Sequence, residues 1–404
     1  MRILLLNLYF PPDTSATAKM ALAVAESLSR RHEVTVVCGR PSYDPTGRRA
    51  WRIWQTEQMG RLRIIHVGST DFPRFQMKRR LANYLSYMAL MVPRAVFLPC
   101  DVVLTMTDPP FQGIVGAFVA LLKRKPYIYN IRDLYPDMAV GGALVPPGML
   151  ARIWEQLHRW ALRHAACVIV LGDDMRARII AKGVEAARVM VVRDGADIPA
   201  ANAPRVALDQ EVVATIRGDA RFVLVHAGNL GFYGAWDTLI LAAKKLAPDG
   251  VRLVFVGEGA QRQQVEASAS GLSNVIFLPF FSGDKIPSVL AAADAHVITV
   301  KRGLEGVVVP SKLYGILVAA RPIVAVTPAE TDVASLGVRQ GFAVCCNPDS
   351  PEEMVAAVRV LVADASQVRA MGDAARAAAQ DYDRVREGAK FEQIVGSVAR
   401  WADI

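Results

Sequence analysis

Short apolar runs, each followed by a turn-rich loop and a helical repeat, recur along the whole chain. The first run, Ile3–Leu8, leads through the turn at Pro11–Thr14 into a helical stretch, Ala16–Ser29, and then into a second strand, Glu33–Val37. A strand, loop, helix, strand order opens a doubly wound parallel sheet. Further strands are predicted at Arg63–Val67, Val102–Met106, Tyr127–Asn130, Cys167–Leu171 and Val189–Val192. Several are apolar throughout, the pattern of strands covered on both faces.

The alternation breaks at Ile198–Pro204, which is rich in Ala and Pro, and restarts with the strand Arg221–His226. A glycine loop (Gly228–Gly234), a helix (Asp237–Leu246) and a strand (Val251–Val256) follow, then strands at Val275–Leu278, Ala295–Thr299, Ile323–Val326 and Phe342–Cys345. The expected class is therefore α/β: two Rossmann-like, doubly wound domains, 1–200 and 201–385, facing a central cleft at their strand carboxyl edges. Residues 386–404 read as a helix crossing back to the first domain. A length of 404 residues independently favours two domains.

Composition narrows the partners. With 52% hydrophobic residues disorder is excluded, and 47 Lys and Arg against 38 Asp and Glu leave a formal charge of +9. That charge suits nucleic acid, an anionic membrane face or phosphorylated substrates. No helix-turn-helix or aromatic-interleaved basic strip is present, which removes nucleic acid. The five cysteines, Cys38, Cys100, Cys167, Cys345 and Cys346, have no ligand spacing and read as buried reduced thiols of a cytoplasmic protein. Met1–Leu6 imitates a short signal sequence, but the apolar run stops at Pro11-Pro12-Asp13 with no small-residue cleavage site, so a first strand is expected. The segment Phe72–Leu98 sets Arg74, Lys78, Arg79 and Arg80 beside Phe75, Tyr84, Tyr87 and Met91. Interrupted by Pro93 and Arg94, it is too short to span a bilayer and suits a helix at the membrane interface. A core helix with a basic solvent edge is the competing interpretation.

Two stretches carry candidate chemistry in the second half. The loop around Gly228, Asn229 and Gly231 follows a strand and precedes a helix, where glycines let backbone amides approach a phosphate. By itself this is a weak signal, because tight turns need glycine for packing too. In Glu305–Gly315, Pro310 fixes the chain ahead of a helix, Ser311 sits at its cap, and the Lys312 ammonium stands beside them. Such a group opposite a departing diphosphate stabilises the developing charge. In the first half Arg132, Asp133 and Asp137 lie just beyond a strand, where they could orient an acceptor hydroxyl, or pair with one another to hold the loop. Asp13 and Thr14 occupy the first strand-to-helix loop, as acceptor contacts or as a helix cap. Asp173-Asp174 is adjacent rather than spaced and reads as helix capping, so no metal site is assigned. His226 reads as a hydrogen-bonded structural histidine.

Taken in order along the chain, these residues resemble a family. Tyr9-Phe10-Pro11-Pro12-Asp13, Ile131-Arg132-Asp133-Leu134-Tyr135-Pro136-Asp137, Gly228–Trp236, Val256-Gly257-Glu258-Gly259 and Pro310–Gly315 resemble the retaining GT-B glycosyltransferases of family 4. The set is most similar to the branch that transfers N-acetylated deoxyhexosamines such as L-fucosamine in O-antigen and capsule synthesis. The resemblance implies a UDP-sugar donor on the second domain, with no cofactor and no metal. It implies that Glu305 binds the donor sugar's hydroxyls, and that Gly306, Val307, Val308 and Val309 line sugar and phosphates. Ser311 and Lys312 would meet the diphosphate, and Phe280 would stand near the base. A polyprenyl-diphosphate-linked saccharide would be the acceptor, at the inner face of the cytoplasmic membrane. Two positions depart from the pattern. The family's second glutamate, on the ribose, is replaced by Leu313 or Gly315, and the basic pair after the glycine loop is missing, leaving Lys312 first, then Arg132, and Lys301 or Arg302, as candidates for the diphosphate. A nucleotide-sugar epimerase and a non-catalytic phosphosugar-binding scaffold are the alternatives; the first lacks an identifiable acid/base pair, and the missing glutamate favours the second.

Overall fold

The computed structural model describes residues 1–13, 15–40, 53–72, 77–199 and 207–401. Its contacts divide the chain into two compact units. The first holds Met1–Val140, Val145–Arg193 and Arg386–Ile404; the second holds Gly141–Leu144 and Asp194–Val385. The units part at Arg193 and Asp194, a few residues before position 200, and 200–206 lie outside the described residues.

The first unit contains β1 (Arg2–Leu6), β2 (Glu33–Cys38), β3 (Trp54–Met59), β4 (Leu62–Val67), β5 (Val102–Thr105), β6 (Tyr127–Asn130), β7 (Cys167–Val170) and β8 (Val189–Val191). Their order across the sheet is β3-β4-β2-β1-β5-β6-β7-β8. All pairings are parallel except β3 with β4. Strand β3 escapes the hydrophobic pattern because its sequence, Trp-Gln-Thr-Glu-Gln-Met, is polar. It is an edge strand held by its antiparallel ladder to β4, not by burial.

The second unit contains β9 (Phe222–Ala227), β10 (Val251–Val256), β11 (Val275–Leu278), β12 (Ala295–Thr299), β13 (Ile323–Val326) and β14 (Ala343–Cys346), in the wholly parallel order β11-β10-β9-β12-β13-β14. In each sheet the order reverses beside the first strand of the unit, β1 and β9, so each has a topological switch point at that strand's carboxyl end. The central strands are buried at nearly every position, as expected of strands covered by helices on both faces.

The last helix, Arg384–Trp401, belongs to the core of the first unit from Arg386 onward: Phe391, Val395 and Val398 pack with Ile3, Leu28 and Val34. Its buried Glu387 accepts the Arg193 N–H at 2.9 Å, which ties the helix to the end of that unit's main segment. All five thiols are free, four of them buried and Cys345 half-buried.

The segment read as an interfacial helix, Phe72–Leu98, forms the helix Met77–Phe97, with Pro93 inside it. The residues on which that reading leaned divide: Tyr84, Tyr87, Met88 and Met91 are buried, with the Tyr87 hydroxyl donating to the Val37 carbonyl at 3.3 Å, while Phe72 and Phe97 are exposed. Arg74 and Phe75 lie outside the described residues. Among the described residues no helix is long and apolar enough to cross a membrane.

Replacing Phe391 by Ala should cost about 3–5 kcal/mol, the range for emptying a buried aromatic site. Urea unfolding followed by tryptophan fluorescence measures this. A loss below about 1 kcal/mol would mean that the terminal helix contributes little to the first unit's core.

Candidate active site

In the second unit the residues of interest leave the carboxyl ends of β9, β10, β11 and β12. The loops after β9 and β10 interlock. Gly228 N–H donates to the Val256 carbonyl at 2.8 Å, Leu230 N–H to the Glu258 carbonyl at 2.8 Å, and Gly257 N–H to the Leu278 carbonyl at 3.0 Å. Gly228 and Gly257 have φ of 141° and 145°, and a Cβ on Gly257 would stand 2.1 Å from the Gly228 carbonyl oxygen. Glycine is required at Gly257 because two backbones touch there. The loop after β12 joins them: Lys301 N–H donates to the Tyr233 carbonyl at 2.7 Å, and Ala235 N–H to the Thr299 hydroxyl at 3.0 Å. Tyr233 O–H closes the turn onto the Asn229 carbonyl at 2.6 Å, and Trp236 Nε1–H onto the Gly231 carbonyl at 2.8 Å.

Lys312 opens the helix Lys312–Val318 and reaches back onto this loop. Its Nζ is 2.9 Å from Nε2 of His226 and would be 3.0 Å from a Cβ placed on Gly228. His226 is fully buried, with Nδ1 3.2 Å from the Val297 carbonyl. A carbonyl only accepts, so we assign the ring proton to Nδ1 and the acceptor lone pair facing Lys312 to Nε2. Burial, and after it the Lys312 charge, hold the imidazole well below its ordinary pKa, so it is neutral. Burial also pushes the Lys312 pKa down to about 7, although the residue as a whole is only half-buried. Among the described residues Lys312 has no carboxylate partner. An enclosed ammonium of this kind gains most from an anion that supplies the missing counter-charge.

Glu305 stands in the same loop, which is folded by Leu304 N–H to the Lys301 carbonyl (3.2 Å), Val307 N–H to the Leu304 carbonyl (3.1 Å) and a φ of 66° at Gly306. Its Oε2 is enclosed without a hydrogen-bond partner among the described residues. A buried carboxylate oxygen left unmatched calls for a donor from outside the protein. Gly306, Val307 and Val308 are buried and Val309 half-buried. Ser311 takes the helix cap position, yet its hydroxyl makes no capping bond and is exposed. Phe280, 57% exposed, lies against Gly257. Arg302, considered for the diphosphate, is instead paired with Asp349 at 2.8 Å and Asn347 at 3.0 Å. At the places of the missing second glutamate, Leu313 is a buried core residue and Gly315 faces Leu290. His226 was underestimated by sequence reasoning: nothing local shows that a strand-end histidine receives a lysine 86 residues away.

In the first unit the corresponding loops follow β1, β5 and β6. Asp13, 4% exposed, accepts Ser15 N–H at 3.0 Å, and the first helix is capped by Ser15 itself, which accepts Ala18 N–H at 3.2 Å. Thr14 lies outside the described residues. Asp133 donates its N–H to the Thr107 hydroxyl at 3.4 Å, and Arg132 beside it is half-buried. Burial, then the Asp133 and Asp108 carboxylates, push the Tyr135 phenol well up, so it remains a neutral donor. Arg80 enters the same group, donating to the Tyr84 hydroxyl. Asp137, expected to meet the acceptor, has its carboxylate paired with Arg178 at 3.2 Å and Lys182 at 2.7 Å, and Lys182 also binds Glu155 at 2.8 Å. That network braces the loop after β6 against neighbouring helices. Asp173 and Asp174 lie in the first turn of the helix Asp173–Ala181, with Asp173 paired to Arg193 at 2.8 Å; among the described residues no metal-binding cluster occurs.

Comparison with known proteins fits this geometry. A model described as "Glycosyl transferase 4-like domain" matches residues 15–195, and "Glycosyl transferases group 1" matches 221–364. The chain is a glycosyltransferase, and its two Rossmann-like sheets are those of the GT-B fold. Its relatives include the putative colanic acid biosynthesis glycosyl transferase WcaI of Escherichia coli K12, 26% identical over 89% of this chain and 91% of that one. The probable glycosyltransferase WbjE of Pseudomonas aeruginosa is 23% identical over 69% of this chain and 72% of that one. Among solved structures, Anabaena HepE in complex with UDP superposes with a TM-score of 0.70 at 17% identity, covering 98% of this chain and 100% of that one. WaaG, a glycosyltransferase involved in lipopolysaccharide biosynthesis, gives 0.65 at 18% identity, covering 98% and 99%.

Because burial holds the Lys312 pKa at about 7 and an anion needs its charged form, affinity for a diphosphate anion at this site should fall by up to about tenfold per pH unit above that point. Calorimetry in buffers of different ionisation enthalpy should show proton uptake on binding at pH 7.5. Both effects should disappear in Lys312→Met; their persistence would move the titrating group elsewhere.

Proposed function

We propose that this chain is a retaining glycosyltransferase that takes a sugar from a UDP-linked donor held on the second unit. The observation that carries the reading is the pairing, in one loop system, of an ammonium without a carboxylate and a carboxylate oxygen without a donor: Lys312 and Glu305. One suits the diphosphate of a nucleotide sugar and the other its sugar hydroxyls. The backbone from Gly306 to Val309, Ser311 and the loop at Gly228, Asn229 and Gly231 would border the donor, with Phe280 beside the base. The metal-free character of the reaction belongs to the proposal: Lys312 supplies the positive charge, and no cofactor beyond the donor is invoked.

In the proposed step the acceptor hydroxyl attacks the anomeric carbon on the face that UDP leaves. The carbon–oxygen bond to the β-phosphate breaks, its electron pair stays on the phosphate oxygen, and that oxygen takes the acceptor proton. Lys312 stabilises the charge that builds there. Arg132 and Asp133, with Asp13, are the candidates for orienting the acceptor.

The finer identity is an N-acetylated deoxyhexosamine such as L-FucNAc as donor sugar and a polyprenyl-diphosphate-linked saccharide as acceptor. The setting would be O-antigen or capsular polysaccharide synthesis at the cytoplasmic membrane face. Support comes from the motif resemblance and from relatives named for colanic acid and lipopolysaccharide biosynthesis. A phosphosugar-binding scaffold remains the second reading, favoured by the absence of a side chain for the ribose at Leu313 and Gly315.

Transfer should be assayed with a panel of UDP-, GDP- and dTDP-sugars and a membrane extract holding lipid-linked saccharides. UDP-sugar turnover that drops about 10²-fold or more in Lys312→Ala is expected, the usual cost of removing one group that stabilises developing charge. Glu305→Gln should weaken sugar discrimination more than UDP binding. Folded protein that binds UDP-sugars but transfers nothing to any acceptor would favour the scaffold.

A further inference from the structure

Three helices of the first unit turn an apolar stripe outward where a core helix would turn a polar one. On Met77–Phe97 the outward residues Leu81, Leu85 and Val92 recur at helical spacing, beside the buried row of Tyr84, Tyr87 and Met91. On Gln112–Lys123 the stripe is Ile114, Val115, Phe118, Leu121 and Leu122; on Met149–His164 it is Leu150, Ile153, Leu157 and Trp160. The three stripes form one surface, because a shallow groove of about 420 Å³ is lined by Val92, Ile114, Val115, Phe118, Leu157 and Trp160, from all three helices. Its rim is open: Phe97 is 83% exposed, Leu150 76% and Met149 74%. A contiguous apolar face of this kind marks a binding surface.

Charge decides what covers it. Residues 77–97, 112–125 and 149–164 hold ten Lys and Arg and one acidic residue, Glu155. That surplus of nine equals the net charge of the whole chain, +9, so the remainder is neutral overall. Glu155 is already bound to Arg159 at 2.6 Å and Lys182 at 2.8 Å. Exposed Arg79, Arg124, Lys125, Arg152 and Arg163 belong to this surplus. A second copy of the chain on this face would set two such surpluses against each other. An anionic lipid surface satisfies both features, taking the apolar stripes at its acyl boundary and the basic side chains at its headgroups.

The geometry points to this three-helix face as the surface on which the first unit docks to an anionic bilayer, lying on it and not crossing it. The inference rests on the lipid-linked-acceptor reading for its purpose, and it replaces the single helix expected from the sequence. Its lipid-facing residues include two helices that the sequence pattern did not single out, while the aromatic row of the first faces the core.

The full chain should sediment with phosphatidylglycerol vesicles, and binding to pure phosphatidylcholine vesicles should be at least tenfold weaker. The double variant Leu121→Glu/Leu150→Glu alters two exposed residues and should reduce vesicle binding at least tenfold, while leaving UDP affinity by calorimetry unchanged. Arg152→Glu/Lys125→Glu should lower binding to the anionic vesicles and reduce the dependence on salt. Wild-type protein that ignores anionic vesicles, or a dimer in sedimentation velocity that Leu121→Glu/Leu150→Glu dissociates, would overturn the proposal. Because the readout is vesicle binding, either result leaves the transfer reading standing. Intact vesicle binding with no sugar transfer would instead sink that reading and spare this one.

Discussion

The contact on which the candidate site of the second unit depends is the meeting of Lys312 with a neutral, buried His226 above a glycine loop. It joins the end of β9 to the start of a helix 86 residues later, with the amine passing so close to Gly228 that a Cβ there would stand 3.0 Å from it. The histidine is kept neutral by burial and by the lysine itself, so the pair carries at most one positive charge. The same burial that lowers the lysine's proton affinity leaves its charge strong toward an incoming anion, since among the described residues no carboxylate pairs with it.

Around that contact, the loops at the strand ends are fixed by backbone bonds more than by side chains. The glycine-only approach of Gly257 to the Gly228 carbonyl and the cross-links from Lys301 and Ala235 hold the rim by its backbone. Rigidity there matters because a group that stabilises charge must already be in place when the charge appears. Opposite demands apply in the first unit. There side chains do the holding: Asp137 pairs with Arg178 and Lys182, and Lys182 with Glu155, just beyond Arg132 and Asp133 in the loop after β6.

The basic charge of the chain has a location. It is concentrated in three helical segments that also bear outward apolar stripes, and Arg79, Arg124, Lys125, Arg152 and Arg163 are its exposed members. Either feature alone would be ordinary: surface hydrophobics are common and a basic patch is usually a solvated face.

The sequence by itself determined both parallel sheets, because strands covered on two faces must be apolar at nearly every position and so stand out without a partner in view. Most predicted strands agree with the observed ones to within a residue or two. It also singled out the segment from Glu305 to Lys312, whose order of residues carries the family resemblance. Only the tertiary structure decided the rest. Polar β3 exists by pairing, which leaves no hydrophobic trace. The role of His226 and the commitment of Asp137 depend on partners dozens of residues away. In the helix Met77–Phe97, residues of both apolar rows are equally hydrophobic on paper. Which row is covered by the sheet and which faces outward is set by packing, and packing is a property of the assembled fold.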